Sequence, residues 1–301
     1  VSKTDVAHGL TVYRTTPGGI QDYGAGSDYY DLTINGVSCS QAAAVLTVAH
    51  NLSITGGGTL VASAANAVQV GVAADFSGGT YTHSNGSFQT TGANTTVSPG
   101  TSALYNFTVN NGAVLQSGLT VANDLLVSAG ALQLSSYNLD VTRDLSGAGS
   151  LTASGTEVIK IGRDMTVGGF SSASSTVQLV SGAGGQSVNS YSFNNLTLNS
   201  GGTVTSAGAW TVTGTLALTA GAWAPAGYTH LIAGTWNDNG VTFTPAAGTI
   251  QLTSANPSVT QKTGNRFYNL TAASGASLSS DILVSNAFVI NGGTLTDNAH
   301  T

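Results

Sequence analysis

Three aspartates near the middle of the chain have a spacing that would suit a metal site. Asp124, Asp144 and Asp164 follow one another in steps of twenty residues, and an apolar residue comes directly after each. If twenty residues make one coil of a stacked structure, the three carboxylates lie above one another, and carboxylate oxygens are ligands that calcium prefers. The alternative is that they are corner residues whose charges Arg143 and Arg163 compensate. We favour this alternative, which predicts no bound metal and no cofactor.

The three tryptophans are the second group of residues that could contact a ligand. Trp210, Trp223 and Trp236 are thirteen residues apart, and exposed aromatic rings stack on sugars, so all three are candidates for glycan contact. However, Trp210 has the same strand parity as Val212, and Trp236 takes the position that Leu216 has in the coil pattern. Packing of the three indoles in the core is therefore the favoured interpretation.

Residues that would carry catalysis are few and scattered. Glu157 is the only glutamate, it has no acidic neighbour in the sequence, and glycoside hydrolysis needs two carboxylates across a cleft. Glycine-rich pieces lack the lysine and the helix of a phosphate-binding loop. The histidines show no metal-binding spacing, and we expect them to be polar surface residues: His8, His50, His83, His230 and His300. The sequence predicts a protein that is not an enzyme and assigns no catalytic residue.

Composition excludes several classes of function. Seven Lys+Arg stand against thirteen Asp+Glu, for a net charge of -6, whereas nucleic-acid binding needs a basic surface. No run of eighteen apolar residues is present, so membrane insertion is not expected. Forty glycines and abundant Thr, Val and Tyr predict an almost entirely β chain. A single cysteine, Cys39, cannot form an internal disulfide, and we expect it to be buried.

A short repeat determines the predicted architecture. The Asp124, Asp144 and Asp164 units each contain an aliphatic residue, two further residues, an Asx residue and an apolar residue. Each unit is too short to bury its own apolar face, but stacked units bury a continuous column. We therefore predict a parallel β-helix, or β-solenoid, of about fifteen coils. Tandem immunoglobulin-like β-sandwiches are the alternative, although they do not require the nested twenty-residue step.

A longer repeat sets the predicted domain boundaries. Aromatic–Asx–apolar–Thr motifs recur at intervals of 75, 89 and 74 residues. These intervals predict a repetitive β-solenoid over residues 30–301, with long repeats starting near 30, 105, 193 and 268. Residues 1–29 contain no repeat, and we interpret them as an N-terminal cap or an assembly segment.

Two of these motifs carry a resemblance to a known group of proteins. Residues 105–111 (YNFTVNN) and 193–199 (FNNLTLN) resemble the YNLTINN-type repeats of very large bacterial surface proteins, which are similar to filamentous-haemagglutinin-like β-helical adhesins. The resemblance implies export to the extracellular space or the cell surface, and a structural or adhesive role in a filament, a surface layer or a large adhesin. A glycan-binding β-helix module, or less favourably a polysaccharide lyase or hydrolase, is the alternative function. We also expect self-association through the terminal coils, with a glycan or host-surface ligand as a further possible partner.

Overall fold

The computed structural model describes residues 9–15, 19–23 and 28–300. In these residues all regular structure is β, and the strands form stacked parallel coils, about 14 of them. The predicted parallel β-solenoid is therefore confirmed. The sandwich alternative is wrong, because the strands of a sandwich pair in antiparallel fashion. None of the described residues forms a helix long and apolar enough to cross a membrane.

The chain divides into two compact units, which we describe separately. Unit 1 comprises Val1–Glu157 with Val167–Gly169, and unit 2 comprises Val158–Thr166 with Phe170–Thr301. The part of residues 1–29 that falls on 1–8, 16–18 and 24–27, including His8, lies outside the described residues.

Unit 1 contains nineteen complete strands in its described residues. In chain order they are β1 (Leu10–Tyr13), β2 (Asp31–Asn35), β3 (Ser38–Ser40), β4 (Leu46–Val48), β5 (Asn51–Thr55), β6 (Thr59–Val61), β7 (Val68–Val70), β8 (Ala73–Asp75), β9 (Thr80–Thr82), β10 (Ser87–Thr90), β11 (Thr95–Ser98), β12 (Asn106–Val109), β13 (Ala113–Leu115), β14 (Leu119–Val121), β15 (Leu125–Val127), β16 (Ala131–Gln133), β17 (Leu139–Val141), β18 (Leu145–Ser146) and β19 (Ser150–Thr152).

The strands of unit 1 form the faces of the solenoid. One sheet has the order β1-β2-β5-β8-β11-β13-β16-β19, a second has the order β4-β7-β10-β12-β15-β18, and a third contains β3-β6-β9. Strand β14 pairs with β17. Each sheet is one face of the solenoid, and a coil contributes one strand to each sheet in which it takes part.

Register between coils places residues of the same character above one another. Leu32 pairs with Leu52, and Leu52 pairs with Ala74. These three side chains are at most 1% exposed, whereas the alternate residues Thr33 and Ser53 face outward. The alternation of apolar and small polar residues along each strand is therefore what selects the inward face.

Unit 2 contains the remaining strands, and β21 (Gly169–Ser171) has residues in both units. The others are β20 (Val158–Ile161), β22 (Thr176–Leu179), β23 (Gln186–Val188), β24 (Tyr191–Phe193), β25 (Asn195–Ser206), β26 (Trp210–Val212), β27 (Leu216–Ala224), β28 (Thr229–Ile232), β29 (Trp236–Asn237), β30 (Thr242–Phe243), β31 (Thr249–Ala255), β32 (Ser258–Thr260), β33 (Phe267–Ser274), β34 (Ala276–Leu278), β35 (Val284–Ile290) and β36 (Leu295–Thr296).

Three sheets organise unit 2 as well. Their orders are β20-β22-β25-β27-β30, β24-β26-β28-β31-β33-β35 and β29-β32-β34-β36, and β23 pairs with β25. At one corner the coils approach so closely that a Cβ atom on Gly202 would overlap the carbonyl oxygen of Gly184. Glycine is required there for lack of space, because its backbone φ is not in the left-handed region.

The long repeat does not coincide with whole coils. In unit 1 the motif residue Leu32 lies in the sheet of β2, whereas its counterpart Phe107 lies in the sheet of β12. In unit 2 Leu196 lies in β25 and Leu270 lies in β33, which again belong to different sheets. The coil is thus the structural unit in both parts of the chain, and the long motif marks different faces.

Candidate functional site

One corner of unit 1 contains two of the three predicted aspartates, Asp124 and Asp144. Leu125 pairs with Leu145, so the preceding residues Asp124 and Asp144 lie on successive coils. The backbone N–H of Asp144 donates a hydrogen bond to Oδ1 of Asp124 over 3.3 Å. Both leucines are fully buried, which confirms that they share one inward column. Asp124 therefore uses its carboxylate to bind the backbone of the next coil.

Neighbouring side chains complete this polar corner. Asn123 donates from Nδ2 to Oδ1 of Asn106 (2.7 Å) and to Oδ2 of Asp124 (3.1 Å). Arg143 donates from Nη1 to Oδ1 of Asn123 (2.9 Å), and its Nε lies 3.8 Å from Oδ1 of Asp124. Arg143 thus lies where the charge compensation was predicted. Both carboxylate oxygens of Asp124 accept hydrogen bonds from N–H groups of the protein.

Asp164 occupies a comparable corner in unit 2. Its Oδ1 accepts a hydrogen bond from the backbone N–H of Ser187 at 2.8 Å. The next residue, Met165, forms a parallel bridge with Val188 and is fully buried. Among the residues that the structure describes, no three His, Cys, Asp or Glu side chains are grouped so that they could hold a metal ion.

The three tryptophans form part of an aromatic core in unit 2. Trp210 and Trp223 are 0% exposed and Trp236 is 1% exposed. The rings of Trp210 and Trp223 are stacked, with centroids 5.2 Å apart and an interplanar angle of 8°. Their Nε1 atoms donate to the Asn189 carbonyl oxygen and to Ser206 Oγ, each at 2.9 Å. No face of these rings is open to a sugar, so the glycan candidates Trp210, Trp223 and Trp236 pack in the core.

His230 departs from the expected surface position. It is fully buried, and its ring lies 5.5 Å from the Trp210 ring and 5.3 Å from the Trp223 ring. Its Nδ1 accepts a hydrogen bond from the backbone N–H of Trp210 (3.2 Å), and its Nε2 donates to the carbonyl oxygen of Pro225 (2.9 Å). Burial lowers the pKa of His230, against a smaller opposing effect of the bond to Pro225. The signal that could have found it is strand parity, because His230 has the same parity as the apolar Ile232 and therefore faces inward with it.

Glu157 lies in unit 1 at the junction of two coils and is 2% exposed. Oε1 accepts from the backbone N–H groups of Ser136 (3.0 Å), Ser154 (2.7 Å) and Gly155 (3.1 Å), and the Ser154 hydroxyl lies 3.1 Å away. Burial acts to raise the pKa of Glu157, but these hydrogen bonds outweigh it and hold the pKa below its usual value. The carboxylate is therefore a structural anion that fixes two turns.

Asp238 is the contrasting buried acid of unit 2. It is 0% exposed, and its Oδ1 accepts the backbone N–H of Lys262 at 2.5 Å. Its Oδ2 has no hydrogen-bond partner. Burial therefore dominates and raises the pKa of Asp238, although the Lys262 N–H and the nearby Asn265 and Trp236 side chains favour the anion.

Part-exposed aromatic rings in unit 1 come from the Tyr–Asx motif. The Tyr30 ring stacks on the His50 ring of the next coil, with centroids 4.7 Å apart and an interplanar angle of 14°. Nδ1 of the imidazole lies 2.9 Å from Asp31 Oδ1 and 2.8 Å from Asn51 Nδ2, so it donates to the carboxylate or accepts from the amide, depending on the tautomer. The side chain of His50 is 35% exposed and that of Asp31 is 24% exposed. This cluster was not among the predicted site residues, although the recurring Tyr–Asx motif marked its first member.

The first coil of unit 1 places two tyrosines in the apolar column. Tyr13 is 8% exposed and Tyr29 1% exposed, and their hydroxyl oxygens are 2.8 Å apart. Asp28 lies beside them, and its Oδ2 accepts the backbone N–H of Thr47 at 2.9 Å. The described part of the N-terminal segment thus covers β4 and carries an anion at the strand edge.

The last coil of unit 2 ends in an apolar groove of about 360 Å³. Its lining combines five apolar side chains with two polar ones at the rim: Leu278, Ile282, Val284, Phe288, Leu295, Asp297 and His300. His300 Nδ1 lies 3.5 Å from Asp281 Oδ1.

Comparison of the chain with models of known protein families, with curated proteins and with solved structures gives no match.

Proposed function

We propose that this chain is an extracellular structural or adhesive β-solenoid, a segment or subunit of a bacterial surface filament, surface layer or large adhesin. The observation that carries the proposal is an outward column of uncharged polar side chains in unit 1. Thr47, Gln69, Gln89 and Thr108 lie in register on four successive coils, and Gln69 Nε2 donates to Gln89 Oε1 at 3.0 Å. Such a face makes many weak polar contacts without the repulsion that stacked like charges would cause.

The proposed mechanism is mechanical. Each inner coil is hydrogen-bonded to a coil on either side through parallel ladders, so displacement of one strand requires breaking bonds in several sheets. The buried residues contribute a continuous apolar column, which resists water entry between coils. No step of this mechanism uses a cofactor, a metal or turnover, and we propose that the chain is not an enzyme. Release of sugar from a polysaccharide by the purified chain would contradict this.

Location and adhesion provide the test. Antibodies raised against the purified chain should label intact cells of the natural source in immunogold micrographs, and beads coated with the chain should adhere to a host surface or to one another. Labelling that requires permeabilised cells would contradict the proposed location. Surface labelling without any adhesion would favour the structural role over the adhesive one.

A glycan-binding module is the second candidate, and the Tyr30–His50 stack is the observation that favours it. A part-exposed aromatic platform beside the Asp31 carboxylate combines a flat apolar face with hydrogen-bonding groups. If this candidate is correct, a glycan array should show binding that Tyr30→Ala abolishes. Tyr137→Ala, at a tyrosine that is 38% exposed, is the matched control and should retain binding. If the array shows no binding, the glycan-binding candidate is rejected and only the structural or adhesive proposal remains.

We also propose that the chain associates with itself through a terminal coil. Large interfaces between coils already hold each unit together, and an end coil offers the same strand edges to a partner. Sedimentation velocity over a range of concentrations tests this directly.

A further inference from the structure

Asparagines that directly precede a glycine occur at four corners between the first and the last described coils. They are Asn35–Gly36, Asn85–Gly86, Asn111–Gly112 and Asn239–Gly240. In such a pair the glycine nitrogen can attack the side-chain carbonyl carbon of the asparagine, because glycine has no Cβ that obstructs the approach. The attack releases ammonia and forms a cyclic imide. The four pairs are therefore candidate sites of spontaneous deamidation, and the environment of each glycine N–H decides which of them reacts.

Three of the four glycine N–H groups are held in hydrogen bonds. Their acceptors are backbone carbonyl oxygens: that of Thr55 for Gly36 (3.0 Å), that of His83 for Gly86 (2.7 Å) and that of Ala129 for Gly112 (3.2 Å). Gly86 and Gly112 are also buried. A glycine nitrogen that is bonded in this way cannot turn towards the preceding side chain until the coil opens locally. The fold thus protects these three pairs.

The Asn239–Gly240 pair of unit 2 has no such protection. Both residues are exposed, and among residues 28–300 the N–H of Gly240 and the side-chain amide of Asn239 have no hydrogen-bond partner. The pair forms the middle of a turn, which the N–H of Val241 closes by donating to the carbonyl oxygen of Asp238 at 3.1 Å. Opening of an exposed turn costs little free energy when its middle residues make few contacts.

The neighbouring coil requires a glycine at position 240. A Cβ atom there would lie 2.3 Å from the carbonyl oxygen of Leu218 and 2.7 Å from that of Thr219. Lack of space is the reason, because the backbone φ of Gly240 is not in the left-handed region. Any side chain at this position would push the two coils apart. The fold therefore retains the residue that makes Asn239 reactive.

We propose that Asn239 is a site of spontaneous deamidation, at which an exposed corner of unit 2 changes to aspartate and isoaspartate as the protein ages. The nitrogen of Gly240 loses its proton to a base in the solvent and attacks Cγ of Asn239. The new C–N bond closes the imide, the Cγ–Nδ2 bond breaks, and the leaving nitrogen takes a proton from water and departs as ammonia. Water then opens the imide at Cγ to give aspartate, or at the backbone carbonyl to give isoaspartate.

The products change the corner in two ways. Both place a new carboxylate next to Asp238, and isoaspartate also adds one methylene group to the backbone before Gly240. Because the coils are already in close contact at Gly240, the corner cannot accept the extra atom without moving. We therefore expect isoaspartate to weaken the hydrogen bond from the N–H of Val241 to the carbonyl oxygen of Asp238.

Mass spectrometry of peptides from the whole chain, aged in mildly alkaline buffer, tests the proposal. Replacement of NH₂ by OH should be at least about tenfold faster at Asn239 than at Asn35, Asn85 and Asn111, because the other three require local opening first. In urea, where no fold protects any pair, the four rates should become similar. A folded chain in which Asn239 reacts no faster than the other three would overturn the proposal, and so would an unfolded chain that keeps the same order of rates.

Variants and hydrogen exchange complete the test. Asn239→Gln requires a larger and less favourable ring, so it should remove the product at this corner. Asn85→Gln is the matched control at an exposed asparagine, and it should leave the rate at Asn239 unchanged. The amide of Val241 should exchange faster in the aged chain than in the fresh chain, and less so in Asn239→Asp, which adds only the charge. An unchanged Val241 amide in the aged chain would contradict the proposed effect on the corner.

Discussion

The imidazole of His230 accepts a hydrogen bond at Nδ1 from the backbone N–H of Trp210 and donates from Nε2 to the carbonyl oxygen of Pro225. The neutral ring with its proton on Nε2 satisfies both partners, whereas a protonated ring would direct a second N–H at the N–H of Trp210. His230 therefore joins the backbones of two coils only in its neutral form.

Acid should destabilise unit 2 through His230. Its pKa in the folded chain is lower than the ordinary value of 6.5, so the unfolded chain binds this proton more readily. The contribution of His230 to the stability of unit 2 is therefore fully present above about pH 6.5, and it is lost as the pH falls towards the pKa of the folded chain. The melting temperature should fall over this range in the natural chain and less in His230→Gln. His83→Gln is the control at a part-exposed histidine, and a variant whose pH dependence equals that of the natural chain would disprove the assignment.

Replacement of Glu157 by glutamine should destabilise unit 1 by about 1–3 kcal/mol, because the amide nitrogen cannot accept from the N–H groups around it. The lowered pKa of Glu157 also predicts that its contribution is present above the ordinary value of about 4.5 and is lost as the pH falls through the folded pKa. Urea unfolding at neutral pH and at acid pH measures both effects. Asp75→Asn changes an exposed carboxylate and should alter stability little. An equal loss of stability in both variants would argue that the hydrogen bonds to Glu157 contribute nothing special.

Gly202→Ala should destabilise unit 2, since the new methyl group would overlap the carbonyl oxygen of Gly184 on the neighbouring coil. Overpacking of this kind costs about 1–3 kcal/mol. Gly182→Ala is the matched control, because a Cβ at that position meets no atom within 4 Å. The melting temperature of Gly202→Ala should be clearly lower than that of Gly182→Ala. Similar melting temperatures would mean that the coils can move apart at this corner.

Calcium should leave the stability of the chain unchanged. The oxygens of Asp124 accept from Asp144 N–H and from Asn123 Nδ2, so binding a cation would require breaking bonds that already hold the coil. The melting temperature should be the same with added calcium and with a chelator. A rise with calcium that Asp124→Asn removes would restore the metal hypothesis for Asp124, Asp144 and Asp164.

The twenty-residue step allowed much of the fold to be predicted, because burial of one apolar face requires stacking. Leu125 and Leu145 pair as the step implies. The long motif was less informative about geometry, since Leu32 and Phe107 lie in different sheets. Sequence spacing measures distance along the chain, and successive coils in unit 1 differ in length.

The candidate site residues were harder to predict than the fold. Strand parity with Ile232 indicates that His230 faces inward, but its hydrogen-bond partners Trp210 and Pro225 are 20 and 5 residues away and could not be predicted. The tryptophan positions followed from strand parity, because parity decides which face a side chain occupies.

Coil length in unit 1 varies while the register of the faces is kept. Ala74 and Val97 are paired neighbours 23 residues apart, and Val97 and Leu115 are paired neighbours only 18 residues apart. The extra residues lie in the corners, where the chain leaves one face and enters the next. Evolution can therefore lengthen or shorten a corner without moving any strand, and new recognition loops can arise on a scaffold that stays the same. A peptide tag inserted at a long corner should for this reason be displayed without loss of the fold.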